Sequence, residues 1–76
     1  MPRAAPDTHL ARTIRELREA QGLSQEALAH RAGTTLGNLG RIEQARTMPS
    51  WGTVRDIAGA LGITLADLAR QVEARS

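Results

Sequence analysis

The 76-residue sequence predicts an all-α fold, one compact domain of five short helices joined by short connections. Three observations carry this expectation. Apolar residues recur at three- and four-residue spacings in five separate segments. A Ser, Thr or Asp stands before each segment, with Gly or Pro breaking the pattern between them. The aromatic content is a single tryptophan, Trp51, so the core falls to Leu, Ile, Val and Ala, which suits close helix packing better than a sheet.

Residues 1–6, with Pro2 and Pro6 among small side chains, read as a flexible N-terminal arm. Asp7 or Thr8 can cap the first helix, where Leu10, Ile14 and Leu17 share a face and Gly22 supplies the stop. On its wet side, Arg12 with Glu16 and Arg15 with Glu19 are i,i+4 pairs worth ~0.2–0.5 kcal/mol each. Arg12, Arg15 and Arg18 thus read as ordinary surface with acidic neighbours, the alternative for Arg12 being reach to a flanking phosphate.

Ser24 caps a second helix over about 25–32, with Glu26 at its positive end and Ala27, Leu28 and Ala32 turned inward. Gly33 ends it. Thr35 caps a third helix over about 36–43, whose inward pair is Leu39 and Ile42. Pro49 keeps the tract "QARTMPS" from being helical throughout. Ser50 starts a fourth helix with Trp51, Val54, Ile57, Ala58 and Leu61 on one stripe, and Gly62 stops it. Thr64 and Asp67 have capping-box spacing for a fifth helix, with Leu65, Leu68 and Val72 apolar. The domain is expected to span residues 7–72, with 73–76 a C-terminal tail.

Composition narrows the function classes. There is no cysteine, and the two histidines, His9 and His30, have no partners at metal-ligand spacing, so no metal and no cofactor is expected. Neither histidine sits in a nucleophile-and-base arrangement, which argues against an enzyme. No stretch has the length of a membrane span or the apolar run of a signal peptide, so a cytoplasmic protein is expected. Met1 and the ending "QVEARS" favour a chain complete in itself. Ten arginines against eight acids give only +2, a weak pointer to a polyanion.

The informative constellation is two short helices separated by Gly33, Thr34 and Thr35. A short glycine-containing turn holds two helices at a steep angle and leaves the second protruding, shaped to enter a major groove. The stretch "LREAQGLSQEALAHRAGTTLGNLGRIEQARTMPSWGTVRDIAGALGITLADL" resembles the Cro and phage-repressor, or XRE-like, helix-turn-helix family. Its marks are "GLSQEALAHRAG", "RIE" closing the third helix, "PS" before the fourth, and "ALGITLADL".

The resemblance implies a lambda-repressor-like five-helix domain with helix 2 as support and helix 3 as reader of double-stranded DNA. It places Thr35, Leu36, Gly37 and Arg41 on the groove-facing side. It assigns Gln25, Asn38, Gln44 and Arg46 to the DNA backbone. It also implies a homodimer paired around helix 5, through Leu65, Leu68, Val72 and Trp51; Trp51 reads first as an anchor of the core, with the subunit contact as its rival role. Short members of this family include restriction-modification controller proteins, and RNA polymerase or a second protein is a further candidate partner.

Physical chemistry adds its own reasons. Helix N-termini offer unpaired amides to phosphates. Arg41 has the fork geometry for guanine O6 and N7, and Leu36 can touch a thymine methyl. Glu43 reads as structural, a partner for a nearby arginine. The reader departs from the family at Leu36, Gly37 and Gly40, where polar side chains are usual, and the two glycines cost about 1 kcal/mol each relative to alanine. The leading expectation is a homodimeric regulator of an inverted-repeat operator. The alternative is a protein-interaction module on the same fold.

Overall fold

A computed structural model describes residues 7–75, so the expected arm at 1–6 lies outside the described residues. Five helices follow one another: α1 Thr8–Ala20, α2 Gln25–Ala32, α3 Leu36–Glu43, α4 Trp51–Ala60 and α5 Leu65–Glu73. Each begins where a short polar side chain can satisfy amides that the helix leaves unpaired. Asp7 accepts from the amides of His9 and Leu10, and Ser24, Thr35, Ser50 and Thr64 each accept from the amide three residues on. Thr64 and Asp67 complete the reciprocal capping box.

The ends of α1 to α4 share one geometry. After α2, Gly33 has φ +72°, its amide donates to His30 and the Thr34 amide donates to the Ala29 carbonyl at 3.0 Å. This left-handed closure reverses the chain within two residues, and glycine adopts it without Cβ strain. The same bond pattern closes α3, but there the left-handed residue is Ala45, at φ +56°.

Ile14, Leu28, Leu39, Ile42, Ile57 and Leu68 are fully buried and form the centre of one core, to which every helix contributes. Ala29, Ala32 and Ala58 are buried where α2 crosses α3 and α4, and their small size permits the close approach. α5 packs on α1 and α4. The Gln21 side chain donates to the Leu61 carbonyl at 2.7 Å, tying the end of α1 to the end of α4.

Several expectations are corrected. Trp51 does not anchor the core: it is 72% exposed, because it occupies the first position of α4, on the outward side of the stripe. Leu68 is a core residue, 1% exposed, and so contributes only the floor of any surface beside it. Arg18 is not surface, being 9% exposed. Glu16 pairs with Arg75, and Glu19 approaches Arg18 at 3.9 Å, in place of the i,i+4 partners Arg12 and Arg15. Of the expected tail, Glu73 is the last residue of α5, and Arg75 Nε donates to the buried Thr13 Oγ1 at 2.6 Å. Local spacing offers partners one turn away, whereas these contacts join residues 59 and 62 positions apart.

Among the described residues, no helix is long and apolar enough to cross a membrane. None of their His, Asp and Glu side chains gather in a group of three that could hold a metal ion.

Candidate nucleic-acid interface

The surface of interest is the outer side of α3 with the N-terminus of α2 beside it. Its inner side is held by three means. Leu39 and Ile42 are sunk in the core. Thr35 caps the first turn, and the Asn38 Nδ2 donates to Thr34 Oγ1 at 2.8 Å, bracing the turn against the helix.

The third means is a buried ionic cluster. Arg18 on α1 donates to Glu43 through Nε at 2.8 Å and Nη2 at 3.0 Å, and through Nη1 to the Leu23 carbonyl at 2.7 Å. The Gln25 Nε2, at the start of α2, donates to the Glu43 Oε1 at 3.0 Å. One carboxylate at the end of α3 therefore fastens α1, α2 and α3 together. The bidentate bond to Glu43 raises the Arg18 pKa above its already high ordinary value, against the opposing effect of burial. Glu43 is thus a structural residue, and Arg18 is the arginine it takes.

With that side fixed, Thr35, Leu36, Gly37 and Arg41 all stand exposed on the other. Leu36 is 49% exposed, an apolar side chain that the described residues leave half uncovered. The Arg41 guanidinium folds back toward the helix N-terminus, its Nη1 lying 3.6 Å from where a Cβ on Gly37 would be. Side chains on a helix lean this way, so the charge of Arg41 is carried to the same turn as Leu36. Gln44 and Arg46, just beyond the helix, are exposed, and the Arg46 amide donates to the Arg41 carbonyl at 2.8 Å. Gln25 and Asn38 are half-buried, each with its amide nitrogen engaged inside the chain.

The remaining candidates lie elsewhere. Leu65, Leu68 and Val72 line a groove of about 260 Å³ between α1, α4 and α5, with Val54 and Leu10 behind them and Trp51 and Met48 at its edge. Met48 is 54% exposed.

Two short helices braced at a tight turn, the second bare on its outer face, define a helix-turn-helix unit set in a five-helix domain. The chain belongs to the helix-turn-helix domain family, which it matches over residues 9–71. It is 38% identical over 64 residues to the HTH-type transcriptional regulator DdrOP3 of Deinococcus deserti, an alignment covering 84% of this chain and 50% of that protein. The chain thus spans about half the length of that curated relative. Among solved structures it is similar to the restriction-modification controller protein C.AhdI from Aeromonas hydrophila, at 34% identity with a TM-score of 0.78 over 80% of this chain and 92% of that one. The clp gene regulator ClgR from Corynebacterium glutamicum shares the fold, at 23% identity with a TM-score of 0.86 over 97% and 79%. These are regulator folds and not enzyme folds.

Proposed function

We propose that the chain is a sequence-reading regulator that binds double-stranded DNA as a homodimer on an inverted-repeat operator. The observation that carries this reading is the two-sided character of α3. One side is pinned by Leu39, Ile42 and the Arg18–Glu43–Gln25 cluster, and the other presents Leu36 and Arg41, both exposed, with no ion pair to Arg41 among the described residues. A rigidly mounted helix with a forked cation beside an apolar contact suits a guanine next to a thymine methyl in the major groove. The likeness to a transcriptional regulator and to a restriction-modification controller protein supports the same reading.

Gln25, Asn38, Gln44 and Arg46 are proposed to meet the sugar-phosphate backbone, with the first amides of α3, those of Leu36 and Gly37, adding to the set. Pairing is proposed through the groove of α5. Leu65, Val72, Met48 and Trp51 would cover one another across a two-fold axis, and the two readers would fall about one helical turn, ~34 Å, apart.

Selection from a random duplex library, with sizing of the free and bound protein, tests this. An inverted repeat recovered with two subunits bound is the expected result. Arg41→Ala is then expected to lose ~1–3 kcal/mol of discrimination at one position per half-site. Recovery of no sequence, with only weak salt-sensitive binding, would overturn the operator reading in favour of a protein partner.

A further inference from the structure

The spacing along α1 gives Arg12 and Arg15 a carboxylate each one turn away, but folding assigns those carboxylates to other cations. Glu16 is taken by Arg75, and Glu19 lies 3.9 Å from Arg18. Neither Arg12 nor Arg15 has a carboxylate within ion-pair distance among the described residues, and both are exposed. Glu16 feels both charges, but its hydrogen bond comes from Arg75.

The two arginines line one open cavity of about 320 Å³, whose other wall is Gln44 and Ala45, the first residues beyond the reader helix. Glu43 also borders it, with its oxygens already accepting from Arg18 and Gln25. The left-handed turn at Ala45 then leads into the exposed Arg46. A concave patch with two uncompensated guanidinium groups therefore adjoins the exit of α3, continuous with the proposed DNA surface.

We propose that Arg12 and Arg15 form a phosphate site for the DNA backbone flanking the half-site, with the phosphodiester seated between α1 and Gln44. This deepens the operator-binding reading and rests on it. Guanidinium groups match phosphate oxygens in charge and fork geometry. Such contacts fix register on the duplex and carry no base preference.

The test uses duplexes bearing the selected operator with flanks of increasing length, titrated at several salt concentrations with the full chain, Arg12→Ala, Arg15→Ala and Arg15→Lys. The unaltered protein is expected to bind more tightly once the flank is present. Each alanine variant is expected to lose that gain, with a slope of log K against log salt shallower by about 0.9 per phosphate contact removed. Both are exposed helix positions, so circular dichroism melts are expected to stay unchanged, and Arg15→Lys should keep the steeper slope. Alanine variants with unchanged slope and flank dependence, or with altered base preference, would overturn the phosphate site while leaving the operator reading intact. Failure of the unaltered protein to select any duplex would bring down both.

Discussion

Glu43 shows how much one side chain can decide. Its carboxylate is 1% exposed, faces a guanidinium that is 11% exposed, and accepts a third bond from Gln25. Removing one member of such a pair leaves a buried charge without compensation, at a cost of ~3–5 kcal/mol. A chain of this length has a total stability on the order of 4–11 kcal/mol. Glu43→Ala is therefore expected to lower the urea unfolding midpoint by about a quarter of its value or more. Replacing both partners with apolar side chains of similar volume, Arg18→Met with Glu43→Leu, is expected to recover most of the loss. That Glu43 binds an arginine is legible in the sequence. Which arginine is not, because the choice depends on how α1 passes the end of α3, and the two residues are 25 positions apart. Arg18, ringed by charged neighbours in sequence, offers no local sign of burial.

At the scale of single helices the sequence is far more legible, since capping is decided within four residues. Ser24, Thr35, Ser50 and Thr64 all cap as their position before an apolar repeat suggests, as does Asp7. The reader helix is the exception in composition. Gly37 has ordinary helical backbone angles, and an added Cβ would meet only Arg41 Nη1, at a normal contact distance of 3.6 Å. Gly37→Ala is thus expected to stabilise the domain by about 1 kcal/mol. At the other end of the same helix, Ala45 holds a left-handed conformation that strains any residue with a Cβ. Ala45→Gly is expected to relieve this, with a net gain of up to about 1 kcal/mol after the extra freedom of the unfolded chain is counted. Each should raise the midpoint of a thermal melt by several degrees, about 4–8 °C per kcal/mol in a domain of this size.

Over the whole molecule, what escapes sequence reading is closure between distant segments. The end of the chain returns to α1 through Arg75, which bonds Thr13 and pairs with Glu16. The hydrogen bond from Arg75 holds the Glu16 carboxyl below its ordinary value of 4.5. Bonding from Thr64, then the charge of Arg70, does the same for Asp67. A carboxyl whose pKa is lower folded than unfolded contributes stability above the unfolded value and loses it as pH falls through the folded one. Stability is therefore expected to decline on acidification below about pH 4.5, and Arg75→Ala to flatten part of that decline in pH-dependent melts. The exposed side chains at the edge of the α5 groove belong to the same scale. Sequence periodicity puts Trp51 on the apolar stripe, but the first turn of α4 projects past the core. Trp51→Ala is accordingly expected to leave the helical circular dichroism spectrum of the subunit unchanged while shifting sedimentation toward monomer.

The Arg75 clasp also bears on when the fold can close as the chain is made. Helices α1 to α4 contain the contacts that mount the reader: α2 against α3 and α4, and α1 against α3. A ribosome delivers the N-terminal segments first. Leu68 on α5 belongs to the same core as those helices, so the mounting of α3 and the groove beside α5 are completed together, once Arg75 reaches Thr13. The surface proposed to read DNA and the surface proposed to pair would therefore appear in one step, after the last helix is made.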